Sequence, residues 1–563
     1  MSFIRIPNES IYTYEHEKYT QNKIVLSSSG KFRSAAVACD SQAGSSVGRQ
    51  ILEKGGSVVD AAIATMLANS LHNSQSMGIG GGFFMLHYSR KNEKITVLDA
   101  RETAPLNSSH DMFKNCSKTK GGCAIAVPGE IKGYWKAHQL FGRLDWKDLF
   151  QPAIEMCNNG FKLPASQAKF LKYCEPKILE SCSLRETFIN EITNQVFQEN
   201  DIIKRPKLAK TFDIIAKEGE RAFYNGILSD TIIDEIQSAG GLITKTDLQT
   251  YECLIKDPIS YRLRNNIVLN TAPPPSCGVL LNFILALIDG FDYPKFNLDS
   301  CENHKFYHNF IESCKFAFGL RHLVGDGDSK DTDKLFKIIK NQMIIDEYKS
   351  FLKDQCHPIK FYGSTDFRLD YGTAHTSIIG SNGDAVAITS SINLVFGSKI
   401  MGEKTNIIYN NQMDDFSCPS SELNSFALPN YKINFIAPGK RPVSSMTPLI
   451  ALNDDKSVRL VCGSSGGTRI ITSTALTTAR NLILNQDLLS SVDDARIHHQ
   501  LCPDEALFEE NFDEETLDEL SFRGHRLINF GHGGSAVQAI SRLEDKSLHA
   551  VCDGRKGGIP DGF

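Results

Sequence analysis

The sequence predicts a mixed α+β protein, and three observations carry that expectation. Residues 129 to 355 are mostly helical in pattern. Two β-prone runs, Thr373–Ile379 and Ala385–Ile392, flank Ser381-Asn382-Gly383-Asp384. Asn-Gly accepts the positive φ angles of a tight turn, so the two runs read as a hairpin. Third, Met77-Gly78-Ile79-Gly80-Gly81-Gly82 turns into Phe83-Phe84-Met85-Leu86, a core strand. With 563 residues, 41% of them hydrophobic, the chain can bury a large core. A net charge of −5 over that length is too small for a disordered chain.

In chain order, residues 1 to 33 are polar and irregular, and folded sequence begins at Ala35. Gly55-Gly56-Ser57 leads into Val58-Val59-Asp60-Ala61-Ala62-Ile63-Ala64. Ser57 with Asp60 resembles a capping box, which places a carboxylate at the positive end of the helix. The Ala-rich run after it suits a tightly packed, buried helix. Val279 to Ile288 reads as a second buried helix, because it is too short for the ~18 to 20 apolar residues that span a bilayer. Pro273-Pro274-Pro275 breaks the helical region, and residues 322 to 370, with Asp326, Asp328, Asp331 and Asp333, read as a polar surface stretch. The strand at Thr373 starts directly after Gly372. There is no internal repeat.

Composition excludes several classes. The balance of 61 basic and 66 acidic residues gives no field for nucleic acid or an anionic membrane. The acidic run from Asp504 to Glu519 reads as solvated surface. The N-terminus has no apolar core of a signal peptide, so the chain reads as cytosolic or as lacking its targeting segment. The fifteen cysteines are scattered, without a Cys-x-x-Cys pair. Cys116 with Cys123, and Cys174 with Cys182, are disulfide candidates, with free buried thiols as the alternative. Asn8, Asn107 and Asn115 begin glycosylation triplets.

Several motifs fail. Gly78 to Phe83 lacks the last glycine of a dinucleotide fingerprint and runs from helix to strand, the reverse of a phosphate loop. Gly397 to Glu403 has Glu403 where a phosphate lysine belongs. Gly463-Ser464-Ser465-Gly466-Gly467 fits a serine-hydrolase elbow, with His498, His499, His525, His532 and His549 downstream. No metal or organic cofactor is expected, since there is neither a metal-ligand cluster nor a nucleotide loop.

Three other segments make a better chemical set. Cleavage before Thr373 would make it an N-terminal threonine, whose own α-amino group could act as general base for its hydroxyl. Gly466-Gly467 offers backbone N–H groups that can approach an oxyanion without side-chain obstruction. Arg101, Asn393, Gln412, Asp415, Ser444 and Ser445 suit the two ends of a zwitterion. Taken singly, each has a plain alternative, such as a turn or loop filler.

Together they resemble the γ-glutamyltransferases. Thr373-Ala374-His375-Thr376-Ser377, Ser391-Ile392-Asn393-Leu394 and Phe396-Gly397-Ser398 are similar to the small-subunit signature. So are the block from Asn410 to Ser417, Pro442-Val443-Ser444-Ser445-Met446 and Gly466-Gly467-Thr468. Val59-Asp60-Ala61-Ala62, Met77 to Gly82 and Arg101-Glu102-Thr103-Ala104-Pro105 resemble the large subunit, and Asp553-Gly554-Arg555-Lys556-Gly557-Gly558 resembles the end of animal members.

The resemblance implies an N-terminal-nucleophile hydrolase with a four-layer αββα sandwich. It implies self-cleavage into a large subunit, 35–372, and a small subunit, 373–563, that stay together as a heterodimer; the segment 1–34 ahead of them is expected to be flexible from its polar, irregular sequence. Thr373 would be the nucleophile, with the Ser391 hydroxyl supporting it and Gly466 and Gly467 as oxyanion hole. Arg101, Ser444 and Ser445 would hold the α-carboxylate of a γ-glutamyl group; Asn393, Gln412 and Asp415 would hold its α-amino group. Substrates would be glutathione and other γ-glutamyl compounds, with water, amino acids or dipeptides as acceptors, and the location extracellular or at the cell surface. Ser391 replaces a threonine common in the family, Gln412 a glutamate of some relatives, and Val395 an aromatic residue of some animal relatives. The rivals are a related acylase acting on another acyl group, an unprocessed binding relative, and the serine-elbow hydrolase. Removing Arg101 or Asp415 is expected to weaken donor use far more than folding.

Overall fold

Alternation along the strands builds two antiparallel sheets back to back. The computed structural model describes residues 25–293, 303–327, 330–363, 372–417 and 431–563. One seven-stranded sheet runs in the order Asp561–Gly562, Ala36–Cys39, Thr373–Ile379, Ala385–Ser391, Gly82–Ser89, Lys94–Ala100, Leu254–Lys256. The other runs Ser28–Phe32, Leu548–Cys552, Ala536–Arg542, Val458–Ser465, Leu449–Leu452, Val268–Thr271, Ile259–Arg262.

The period of two sends neighbouring side chains into different layers. In the first sheet Phe84, Leu86 and Ala387 meet Ile450, Val461 and Ile540 of the second, and this is the layer between the sheets. Phe83, Met85, Val386 and Ile388 point the other way, onto the helices Val58–His72 and Glu130–Phe141. On the far face of the second sheet Leu269, Ala451, Leu460 and Ala539 pack on Gly278–Ile288 and Arg469–Leu482, with Asn303–Gly319 packed against Gly278–Ile288. The result is the expected four-layer αββα sandwich.

Local chemistry sets these elements as expected in several places. Ser57 Oγ accepts from the Asp60 N–H at 3.0 Å while Asp60 Oδ2 accepts from the Ser57 N–H at 2.8 Å, a complete capping box. The hairpin pairs Thr373 with Ser391 through to Ile379 with Ala385, and Gly383 takes φ +83° in its turn. Every residue of Gly278–Ile288 is buried. Cys116 and Cys123 form a disulfide. Among the described residues no helix is long and apolar enough to cross a membrane.

Other expectations are corrected. Folded chain begins before Ala35: Ser28–Phe32 pairs along Leu548–Cys552, while residues 1–24 lie outside the described residues. The helical stretch 129–355 contains Leu254–Lys256, Ile259–Arg262 and Val268–Thr271, which supply the edges of both sheets. Runs of three or four residues are too short to impose a visible alternation. The stretch taken as polar surface holds the helices Lys330–Lys340 and Gln342–Ser350. Leu335, Ile338 and Ile339 form its inward face, and Asp331 and Asp333 sit in the first turn, where the helix dipole favours them. Cys174 and Cys182 are separate thiols, one buried and one exposed. In the acidic run, Glu509 is fully buried and paired with Arg555, so that part is not solvated surface.

Candidate active site

Thr373 stands at the start of an inner strand, third of seven in the first sheet, between Ala36–Cys39 and Ala385–Ser391. It is 3% exposed. Its Oγ1 donates to Ser391 Oγ at 3.5 Å, the outer limit of a hydrogen bond. Ser391 Oγ in turn donates to the Gly372 carbonyl at 2.6 Å and accepts from the Asn393 N–H at 2.8 Å. The single Ser391 hydroxyl proton is therefore committed to the peptide bond that precedes Thr373.

A half-buried lysine fixes the other side of the residue. Lys556 Nζ donates to the Thr373 carbonyl at 2.5 Å, to Asp40 Oδ2 at 2.8 Å and to Ser465 Oγ at 3.3 Å. Asp40 also accepts from the His375 N–H and from Gln538 Nε2. Burial pushes the Asp40 carboxyl up, and the Lys556 charge opposes that shift. His375 bonds Thr389 Oγ1 and Ser377 Oγ, and burial, aided by Lys556, pushes it down to about 3. It is a neutral packing group. Its ring lies against Gly463, where an added Cβ would come within 2.3 Å.

The glycine pair lies at the turn from strand Val458–Ser465 to helix Arg469–Leu482, with φ +124° at Gly466 and +63° at Gly467. A Cβ at Gly466 would meet the Gly534 carbonyl at 2.3 Å, so the close approach of two loops requires glycine there. Gly372, Thr373, Gly466 and Gly534 border one cavity of about 100 Å³. Ser465 is the centre of the supposed hydrolase elbow, but its hydroxyl meets Lys556. The downstream His498 is engaged with Thr472 and Gln500, and His525 with His308.

A chain of contacts leads from Thr373 to the charged cluster. Asn393, at φ +73°, donates from Nδ2 to the Asn411 carbonyl at 3.1 Å. Next along, Gln412 Nε2 donates to Asp415 Oδ2 at 3.2 Å, and Arg101 Nη2 donates to the same oxygen. Arg101, with no exposed surface, also donates to the carbonyls of Pro442 and Val443 at 3.2 Å and to Glu102 Oε2 at 3.3 Å. Burial pushes Glu102 up to about 7, against the pull of Arg101. Gln412 Oε1 is buried without a hydrogen-bond partner among the described residues, an acceptor suited to an N–H donor.

The structure thus brings Arg101, Asn393, Gln412 and Asp415 into one line that ends at Val443-Ser444. Ser444 Oγ accepts from the Met446 N–H at 3.1 Å, and Ser445 Oγ accepts from Arg321 Nη2 at 3.0 Å. Sequence reasoning missed Asp40, Lys556 and the Gly533-Gly534 loop. Lys556 lies inside a quoted C-terminal motif, and His532-Gly533-Gly534 carried a glycine signal that was available. Asp40 had none. Also missed is Glu130, buried behind the hairpin, which accepts from Ser390 Oγ at 2.9 Å and from the Tyr134 hydroxyl and is pushed by burial up to about 8.

A four-layer αββα stack with a threonine opening an inner strand defines the N-terminal-nucleophile hydrolase class. A cephalosporin acylase from Bacillus halodurans shares this fold with TM-score 0.82 at 21% identity, covering 100% of this chain and 99% of that one. Residues 44–563 match the gamma-glutamyltranspeptidase family profile, and the chain belongs to that family. It is 39% identical over 537 residues to Scoloptoxin SSD14 of Scolopendra dehaani, covering 95% of this chain and 93% of that protein. It is 35% identical over 548 residues to glutathione hydrolase 2 of Arabidopsis thaliana, covering 94% and 93%.

Proposed function

We propose that this chain cleaves itself before Thr373 and then acts as a γ-glutamyltransferase and glutathione hydrolase. The observation that carries this reading is the Ser391 hydroxyl held between Thr373 Oγ1 and the Gly372 carbonyl, at one end of a contact line that reaches Arg101 and Asp415. Thr373 Oγ1 attacks the Gly372 carbonyl carbon, and the Ser391 O–H stabilises the oxyanion. The C–N bond breaks, its nitrogen takes up the proton given up by Oγ1 and becomes the Thr373 α-amine, and an ester joins Gly372 to Oγ1. Water hydrolyses that ester. The products, 35–372 with its N-terminal segment and 373–563, stay associated as large and small subunits.

In the mature site the α-amine takes the Thr373 hydroxyl proton as Oγ1 attacks a γ-glutamyl carbonyl. The N–H groups of Gly466 and Gly467 receive the oxyanion. The amine returns the proton to the leaving nitrogen, and a γ-glutamyl ester remains on Thr373. Water or an acceptor amine then opens it by the same steps in reverse. The substrate α-carboxylate binds Arg101 with Ser444 and Ser445, because a guanidinium offers a planar fork to a carboxylate. The α-amino group binds Asn393, Gln412 and Asp415, where the orphaned Gln412 Oε1 gains a donor. The related acylase is less favoured, because the Arg101–Asp415 pair matches an amino-acid head group. The Cys116–Cys123 disulfide supports an extracellular or cell-surface location, since disulfides persist in oxidising compartments.

The test is purification followed by a denaturing gel, N-terminal sequencing and incubation with glutathione, with and without glycylglycine. Two bands, a new end at Thr373, cysteinylglycine with glutamate, and γ-glutamyl-glycylglycine in the presence of the acceptor are expected. A new end elsewhere, or processed protein that leaves glutathione intact, would refute the proposal.

A further inference from the structure

The short turn that carries Gln412 and Asp415 is gripped by a distant part of the chain. Lys118 Nζ donates to the Phe416 carbonyl at 3.2 Å and pairs with Asp414 Oδ1 at 3.4 Å. Asp414 and Phe416 are the two neighbours of Asp415, so one ammonium holds the turn on both sides of the carboxylate that meets Arg101. The Lys118 side chain is 11% exposed and that of Asp414 1%, so solvent screens the pair little. Beside them Ala104, Ala126, Met413 and Phe416 form a small apolar cluster, with Met112 and Phe113 packed against it.

Lys118 is itself held by a staple. It sits in the loop that the Cys116–Cys123 disulfide closes. The far end of that loop is anchored: the Gly121 N–H donates to the Ser398 carbonyl and the Gly122 N–H to the Ala239 carbonyl, both at 2.9 Å. Within the loop Ser117 and Thr119 bond each other. The disulfide ties Cys116 to the anchored end, which limits where the Lys118 ammonium can go. Both cysteines are partly exposed, so a thiol in solution can reach them. On the proposed cleavage the loop belongs to the large subunit and the gripped turn to the small one.

We propose that Lys118 is a positioning residue for binding of the γ-glutamyl amino group, acting on Asp415 through Asp414 and Phe416, and that the Cys116–Cys123 disulfide keeps it in place, so that reduction weakens donor binding. The inference rests on the reading of Asp415 as a ligand of that amino group. A binding turn ordered in advance costs the substrate less to engage. Releasing the turn therefore raises donor KM and leaves the chemistry at Thr373 in place.

The experiment uses processed protein, γ-glutamyl-7-amido-4-methylcoumarin as donor, and glutaryl-p-nitroanilide as competitor, whose acyl group lacks only the α-amino substituent. Dithiothreitol opens the disulfide: its two thiols close to a cyclic disulfide, and Cys116 and Cys123 each take up one hydrogen. Labelling of the freed thiols, read by mass spectrometry, confirms the reduction. Reduced wild type, Cys116→Ser/Cys123→Ser, Lys118→Met and Lys118→Gln should each raise donor KM by about five-fold or more with kcat within about two-fold, and Lys118→Arg should keep it. The Ki of the glutaryl competitor should move less than about two-fold throughout, because it has no amino group for Asp415 to hold. Dithiothreitol should add nothing in the double-serine variant, which assigns its effect to this disulfide. Reduced wild type starts from folded, processed protein, so the proposal is decided even where a variant fails to fold. An unchanged donor KM in both neutral Lys118 variants, or in wild type with both thiols shown free, would overturn the proposal, as would an equal rise in the glutaryl Ki. Oxidised wild type that releases no aminomethylcoumarin, or that binds the two acyl groups equally, would instead overturn the reading of the site and the inference with it.

Discussion

Ser391→Ala isolates the hydroxyl that grips the Gly372 carbonyl. In the folded precursor that hydroxyl donates at 2.6 Å and accepts from the buried Asn393 N–H at 2.8 Å. Losing the acceptor leaves one buried N–H unpaired, which costs about 1 to 3 kcal/mol of stability. Losing the donor removes stabilisation of the oxyanion that forms as Thr373 Oγ1 attacks. Removal of one such donor costs about 2.7 to 4 kcal/mol, or roughly 10²- to 10³-fold in rate. The bond already exists to the neutral carbonyl, so only its strengthening counts, and the effect belongs near the hundred-fold end. Precursor refolded from denaturant and sampled over time on a denaturing gel gives the rate, and circular dichroism reports the fold. Ser391→Thr keeps the hydroxyl and should process nearly as wild type. A folded Ser391→Ala precursor that cleaves within about three-fold of the wild-type rate would refute the role given to Ser391 by the oxyanion argument.

Arg101→Lys should lower kcat/KM for γ-glutamyl-p-nitroanilide at least ten-fold, since the charge-assisted bonds lost are worth about 1.5 to 3 kcal/mol each and an ammonium cannot reproduce the fork; steady-state kinetics decide it. Arg101→Ala should in addition lose about 3 to 5 kcal/mol in urea denaturation, because it strips a countercharge from Asp415 and Glu102. Lys556→Met should slow both processing and turnover and lower Tm, since it strips buried Asp40 of its counter-charge and frees the Thr373 carbonyl; unchanged processing would remove Lys556 from the apparatus. Glu130, pushed up to about 8 when folded, holds a proton that the unfolded chain releases above its ordinary carboxyl value, so its stabilising effect is complete at low pH and is lost as pH rises through about 8. Glu130→Gln should flatten the fall in urea midpoint between pH 5 and pH 9, and an undiminished slope would assign that fall to other groups.

Local signals were the legible ones. Asn382-Gly383 between two β-prone runs specifies a hairpin within a few residues, and Ser57 with Asp60 specifies a helix start in the same way. Thr373 and Gly466 could be singled out because the chemistry proposed for them needs few residue types, and the structure brings both to one cavity. What depended on distant partners was hidden. Asp40 and Lys556 meet across 516 positions, and Arg101 meets Asp415 across 314. Four side-chain contacts, to two carbonyls and two carboxylates, make Arg101 part of the core, so its removal is predicted to cost stability as well as donor use. Glu509 looked like one more solvated acid until Arg555 was seen beside it. The short strands between Leu254 and Thr271 gain their order from the sheets they border.

The position of the Thr373–Ile379 hairpin strand, laced between Ala36–Cys39 and Ala385–Ser391, bears on the history of the molecule. While Gly372 and Thr373 are joined, threading this strand into place is unimolecular. If that bond is cut as proposed, the same assembly becomes a two-body encounter whose rate depends on concentration, and neither piece has a complete sheet to fold onto. On the proposed cleavage, connectivity serves to build the protein and not to keep it built. Mature protein taken through denaturant should therefore recover its activity poorly when dilute, while the uncut Thr373→Ala precursor regains its fold at any dilution.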